Sequence, residues 1–519
     1  MVIELRTPST NTPESKQKSR VIVVGAGIGG LTAGALLAKR GYQVKIFDQA
    51  IVPGGCASTF KRRGFTFDVG ATQVAGLETG GIHERIFQEL NIKPPTATYC
   101  DPACAVFLPG ESQPINVWRD PDKWRQERQR QFPGSEPFWN LLSHLFKASW
   151  RFQGRDPVLP PRNLWDLWQL VSAVRPDTLI TVPFALMTVG DALKLYGLHQ
   201  DRRLKTFLDL QLKLYSQVGA DETALLYAAT ALAVSQAPQG LFHLQGSMQV
   251  LSDRLVEGLE KYGGKLLMRH SVEQIHTKSG KVTGVSICNQ KTGATWTEEA
   301  DQVVANVTAQ NLVKLTAQEK SFNNYQRRVD KLTQPSGAFV VYLGVKREAI
   351  PADCSPHLQF LYNQDEVIGE NNSLFVSVSK PGDGRAPEGQ ATIIASSFTD
   401  VDLWWQEDEQ IYAQIKQKYT DEAIARLGKY FNLTSENIIY TEAATPRTFA
   451  QYTARAKGIV GGLGQRISTF GPFGFANRTP VKNLWLVGDS THPGEGTAGV
   501  SYSALTVTRQ IEAGNQALS

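Results

Sequence analysis

Three features of the 519-residue sequence predict an α/β chain. Past a polar leader it opens with a strand, a glycine-rich turn, a helix and a second strand. It closes with a strand that runs into another glycine-rich loop and a last helix. Between these ends lie a long Trp-, Leu- and Pro-rich stretch of helical character and several apolar runs of strand length. A nucleotide-binding domain of Rossmann type, assembled from residues 20–105, 240–310 and 460–519, accounts for the two ends and the middle. An α+β substrate domain, inserted twice as residues 106–239 and 311–459, takes the rest.

The elements follow in order. Residues 20–24 are a short apolar strand, and Gly25-Ala26-Gly27-Ile28-Gly29-Gly30 is the turn after it. Residues 31–40 carry apolar side chains at helical spacing, Gly41 stops that helix, and residues 43–48 form a second strand. Residues 106–239 read as mostly helical. Residues 241–261 hold a strand and then a helix, and 265–268, 271–276, 281–288 and 301–306 read as successive strands. Further strands fall at 338–345, 373–378 and 391–398, with a helix at 409–427. A final strand at 483–487 precedes the closing helix, 500–513.

Length alone calls for two or three domains. The composition, 41% hydrophobic and 20% charged with a mean hydropathy of −0.24, is that of an ordinary globular chain. A net charge of +5 excludes the dense basic face of a nucleic-acid binder. It leaves open either a plain solvated exterior or weak attraction to an anionic membrane. Five cysteines, an odd number, point to free thiols rather than a disulfide framework. Cys100 and Cys104, the one close pair, lack both CxxC spacing and partner histidines, and no metal site is expected. Residues 1–19 are polar and rich in Thr, Ser, Pro and Lys, which reads as a disordered leader rather than a signal peptide. There is no run of about 18 or more apolar residues, so membrane contact, if made, is peripheral and on the cytoplasmic side.

Each glycine of the first turn has a physical task. Gly25 allows the tight strand-to-helix turn, Gly27 lets the backbone approach a pyrophosphate, and Gly30 lets helix and strand pack closely. The helix N-terminus offers free N–H groups and the positive end of its dipole to phosphate. Asp48, 18 residues after Gly30 at the end of the second strand, can accept both ribose hydroxyls. This motif does not separate NAD from FAD, but two further stretches do. Pro53-Gly54-Gly55, followed by Lys61-Arg62-Arg63, can bring backbone amides and positive charge to the other side of the pyrophosphate. The run from Trp485 to Val500 ends a strand in Gly488-Asp489 and continues as a glycine loop through Gly496 into the last helix. That helix start suits a flavin ring edge or the pyrophosphate, and Asp489 can bind a ribityl hydroxyl. FAD is therefore the expected cofactor.

The stretches VIVVGAGIGGLTAGALLAKRGYQVKIFDQAIVPGG, FTFDVGATQVAG, LQGSMQVLSDRLVEGLEKYGGKL and NLWLVGDSTHPGEGTAGVSYSAL resemble the carotenoid (phytoene) desaturase and isomerase family. The likeness covers nearly all of the chain past residue 20, and GGCASTFKRRGFTFDVGATQVAG is most similar to the carotenoid 3′,4′-desaturase branch, with prolycopene isomerases next. The resemblance implies an amine oxidase/phytoene desaturase-like flavoprotein with FAD contacts at Gly25, Gly27, Gly29, Gly30, Asp48, Gly54, Gly55, Val272, Gly488 and Asp489. Val272 would hold the adenine through its backbone. It also implies a hydrophobic polyene substrate and a quinone or oxygen as electron acceptor. One position departs from the pattern: Cys56 stands where the family often has an arginine after the paired glycines, and Arg62 is the substitute the sequence offers.

A hydrocarbon substrate is favoured by two further stretches. Leu164, Trp165, Leu167, Trp168, Val171 and Val174 recur at helical spacing between Pro161 and Pro176, and residues 179–189 are almost wholly apolar. They form either a greasy entrance in the membrane interface or part of the core. Near the flavin, Ala498-Gly499-Val500 lacks the aromatic residue that amine oxidases of this architecture place there. No cysteine follows Cys354, so covalent flavin attachment near the C-terminus is excluded. No catalytic acid or base stands out; His492 and then Glu495 are the nearest candidates. Three functions remain: a desaturase, a cis–trans isomerase using reduced FAD, and a non-enzymatic lipid-binding protein, the last disfavoured by the intact glycine set and Asp489.

Overall fold

The computed structural model describes residues 19–516. The expected leader, apart from Ser19, lies outside them. Five parallel strands form the first sheet, in the order Leu484–Leu486, Gln302–Ala305, Arg20–Val24, Gln43–Asp48, Lys265–Met268. The central strand, RVIVV, is buried along nearly its whole length, as a strand covered on both faces must be. Helices Ile28–Lys39, Gln249–Lys261 and Thr497–Gln516 pack on one face through Leu31, Leu36, Leu255, Leu259 and Val507. A three-stranded antiparallel meander, His270–Lys278, Lys281–Asn289 and Thr295–Glu299, covers the other.

A second, seven-stranded sheet runs Ile438–Ala444, Gly337–Lys346, Gln390–Thr399, Ser373–Val378, His357–Leu361, Cys104–Phe107, Ile115–Val117. All its pairs are antiparallel except that of His357–Leu361 with Cys104–Phe107. Helix Glu409–Leu427 backs one face through Ala423 and Leu427. Between these sheets and the solvent lies a layer of helices from Pro121 to Ala233, with a core of Trp124, Phe138, Trp139, Phe207 and Leu208.

Two local readings need correction. The first helix begins at Ile28, three residues before the apolar periodicity starts, because Gly29 and Gly30 form its first turn. Only glycine fits there: a Cβ on Gly30 would sit 2.0 Å from the Gly25 carbonyl oxygen. The expected boundary at residue 105 cuts through strand Cys104–Phe107, which with Ile115–Val117 extends the second sheet. Their shortness hides them in a stretch that otherwise reads as helical.

Candidate flavin and substrate site

The two ends of the chain meet at the C-terminal edge of the parallel sheet, the usual place for ligands in such folds. Gly54 N–H donates to the Ala26 carbonyl at 2.8 Å, so the paired-glycine loop lies directly on the first glycine turn. A Cβ on Gly29 would stand 3.3 Å from the Val500 carbonyl oxygen, which places the start of the first helix against the start of the last. Asn306, just past strand Gln302–Ala305, sits where these loops converge. Its Nδ2 donates to the Gly25 carbonyl at 3.4 Å, and Cβ atoms on Gly27, Gly29 or Gly488 would fall 2.8, 2.8 and 3.2 Å from its amide. In the sequence Asn306 carries no signal beyond that of a polar residue ending a parallel strand.

One cavity of about 1260 Å³ opens from this meeting point. Its lining includes Gly25, Gly27, Gly29, Asp48, Gly54, Gly55, Val272, Gly488, Asp489, Gly496 and Val500, all expected cofactor contacts. Gly30 is not in the lining and packs against Gly25 instead. Asp48 ends its strand with both carboxylate oxygens engaged: Ala26 N–H donates to Oδ2 at 2.6 Å and Ala50 N–H to Oδ1 at 2.7 Å. Burial pushes this carboxyl up, against the pull of those two amides. Each oxygen keeps a further lone pair for a ribose hydroxyl.

Arg62 falls outside the cavity lining. It lies exposed on strand Thr59–Arg62, paired with Glu442 at 3.3 Å and stacked near Phe60. A strand edge carries its alternate side chains away from the glycine loops, which is why proximity in sequence misleads here. The least exposed guanidinium in the cavity lining is that of Arg455, 2.8 Å from Asp489.

The flavin-side candidates differ in charge state. His492 is fully enclosed, its Nε2 paired with the Gln153 side-chain oxygen at 3.2 Å, and burial lowers it to about 4. It is a neutral imidazole at neutral pH, not a cation. Glu495 Oε2 accepts from Gln217 Nε2 at 3.1 Å and from Gly462 N–H at 3.3 Å. Burial raises this carboxyl to about 8, so near neutral pH it carries a proton. Glu495 Oε1, Gln217 Oε1 and His492 Nδ1 are buried without a protein partner. Unpartnered polar atoms at a glycine-lined helix start suit a flavin, whose ring presents both N–H and C=O groups. The residues present therefore fit FAD. When bound, FAD supplies an acceptor for an electron pair leaving a carbon centre; the chain holds it and shields the chemistry from water.

Away from the glycine loops the lining turns apolar, with Leu159, Leu170, Leu214, Leu226, Leu241 and Phe375. It reaches Thr178 and Thr181, where the surface itself is apolar. On helix Leu164–Ala173 the apolar stripe faces outward. Leu164 is 85% exposed and Trp168 65%, Leu167 and Val171 also face outward, and Asp166 is fully buried. Arg478 Nε reaches both Asp166 oxygens, at 3.1 and 2.9 Å, and Gln510 Nε2 adds a bond at 3.0 Å. That anchor turns the apolar side of the helix away from the core. Leu179, Ile180, Val182 and Leu186 extend the exposed patch. The choice left open by the sequence, entrance or core, thus falls to an exposed surface. Among the described residues no helix is long and apolar enough to cross a membrane.

Residues 23–90 match the family model of an NAD(P)-binding Rossmann-like domain. The chain is 26% identical over 509 residues to a chloroplastic prolycopene isomerase of an Oncidium hybrid cultivar, covering 96% of this chain and 85% of that one. It is 26% identical over 514 residues to a zeta-carotene-forming phytoene desaturase of Myxococcus xanthus, covering 96% and 94%. Among solved structures, cyclohexylamine oxidase from Brevibacterium oxydans superposes over 96% of this chain and 100% of its own, with a TM-score of 0.59 at 16% identity, which establishes a shared fold. With the glycine cradle and the flavin-side pocket in place, the chain is similar over nearly all of its length to carotenoid desaturases and isomerases, and its site is that of an FAD-dependent oxidoreductase.

Proposed function

We propose that this chain is a carotenoid-modifying flavoenzyme that draws a long polyene from a membrane surface and desaturates it, as the resemblance to the 3′,4′-desaturase branch suggests. One observation carries this reading: a single cavity runs from the glycine cradle to Thr178 and Thr181, next to the exposed apolar side chains Leu179, Ile180 and Val182. A water-insoluble chain entering at the patch would stay in apolar surroundings until it reached the flavin end. The patch lies on residues 164–186, within an expected membrane-associating segment, and each large apolar side chain moved from water to lipid contributes about 1.5–3 kcal/mol.

Among the described residues no strong general base lines the apolar stretch. Desaturation of a conjugated chain tolerates this, because the polyene itself spreads the positive charge that develops as hydrogen leaves. The chain's contribution is then position and exclusion of water. A quinone or oxygen would accept the electrons afterwards. The test is expression in cells that make different carotenes, followed by pigment spectroscopy. A longer chromophore and a red shift are expected; unchanged conjugation in every host contradicts desaturation.

Isomerisation is a second reading, favoured by the isomerase relatives and by the protonated Glu495 beside the flavin-side pocket. Anaerobic turnover of pre-reduced enzyme with no acceptor would select it over desaturation.

A further inference from the structure

The pyrophosphate of FAD is a dianion, and the cavity that receives it is lined by Asp48, Glu273, Asp489 and Glu495. Helix N-termini and glycine amides offset part of that charge. Glu273 is exposed and Glu495 carries a proton, but bringing a dianion beside the Asp48 and Asp489 carboxylates is still unfavourable without a fixed cation. The other lining cations are committed elsewhere or lie in water: Arg85 pairs with Asp156 at 2.7 Å, the Arg151 side chain is 64% exposed, and Lys314 is exposed. Arg455 is enclosed.

Arg455 is also held. It follows the helix Pro446–Thr453, past Ala454 in the left-handed region at φ 57°. Asn311 clamps the backbone on both sides: its Nδ2 donates to the Ala454 carbonyl at 2.7 Å, and its Oδ1 accepts from Ala456 N–H at 2.9 Å. The guanidinium donates from Nε to the Ile459 carbonyl at 2.7 Å and from Nη2 to the Gly461 carbonyl, while pairing with Asp489. It lies close enough to Cys56, the residue after Gly54-Gly55, to pull that thiol's pKa down against the push of burial.

We propose that Arg455 is the pyrophosphate cation of this flavoprotein, reaching across the cavity to the place that Cys56 leaves uncharged. The inference rests on FAD as the cofactor and is independent of the polyene. A planar guanidinium bridges a carboxylate and a phosphate in a way that no backbone amide can. Asp489 then holds the group in place and does not cancel it.

The test is binding of FAD and of riboflavin, which lacks the pyrophosphate, to apoprotein by flavin fluorescence, with melting curves for each variant. Arg455→Met should weaken FAD by about 30-fold and riboflavin by less than about threefold, the loss of one charge-assisted contact. Adding Cys56→Arg to Arg455→Met should restore FAD affinity to within about fivefold, a recovery that a merely structural arginine would not show. Equal losses for FAD and riboflavin would overturn the proposal. So would restoration by Asp489→Asn, which would mean that Arg455 serves only to neutralise Asp489. If Arg455→Met does not fold, Arg455→Lys replaces it: Cys56→Arg must then raise its FAD affinity, and failure to do so overturns the proposal. Wild-type protein that binds neither flavin would overturn the cofactor assignment itself, which separates the two failures.

Discussion

The glycine end and the apolar mouth of the one cavity are built by opposite logic. At the glycine end, short-range sequence order places the groups that matter: strand, turn, helix, with amides presented where side chains are missing. At the mouth, contacts between residues distant in sequence matter most. Helix Leu164–Ala173 shows water its apolar side because Asp166, on the other side, is fixed by Arg478 and Gln510 more than 300 residues away. Backbone chemistry can be read locally, whereas the facing of an amphipathic helix depends on what its polar residues find in the fold.

The harshest way to break this contrast is to cut the anchor. Asp166→Ala leaves Arg478 without its carboxylate partner and should cost about 3–5 kcal/mol of stability, read by chemical denaturation. Intact stability would show that packing of apolar side chains, not the ion pair, sets the helix. Next, Gly30→Ala drives a Cβ into the Gly25 carbonyl, 2.0 Å away, and should cost about 3 kcal/mol with loss of bound flavin in the purified protein. A yellow, stable variant would mean that the turn relaxes more easily than its geometry implies.

Smaller effects sharpen the contrast. Leu164→Ser with Trp168→Ser should leave stability within about 0.5 kcal/mol, since both side chains face outward. The same pair should weaken flotation with liposomes by at least about tenfold, in keeping with lost apolar transfer. Unchanged flotation would detach the patch from any membrane role.

A pH-dependent effect belongs to Glu495. Its value in the folded chain, about 8, lies above the ordinary 4.5, so folding favours the protonated form. That contribution is complete below pH 4.5 and is lost as pH rises through 8. Wild-type stability should therefore fall over this window relative to Glu495→Gln, in parallel urea titrations. Parallel curves would place the carboxyl in a wetter setting than its contacts indicate.

Much of the parallel sheet and its ligand edge is legible in the sequence, because Gly25, Gly27, Asp48, Gly54 and Asp489 act through local geometry. Helix Glu409–Leu427 is legible to the residue, ended by Gly428. Asn306, Arg455 and the Asp166 anchor are not. Each acts on partners distant in sequence, and a lone Asn, Arg or Asp in an unremarkable run carries no periodic or motif signal. Arg62 shows the converse error: nearness in sequence to the paired glycines placed it at the phosphates, and the turn of its strand put it on the surface beside Glu442.

The claim that one cavity joins flavin to membrane-borne polyene is tested most directly by mixing FAD-loaded protein with carotene-containing liposomes and an electron acceptor, and following the pigment spectrum. The account predicts a red shift that requires both the flavin and the exposed apolar patch. Flavin-loaded protein that floats with the liposomes yet alters neither the conjugation nor the geometry of the pigment would contradict it.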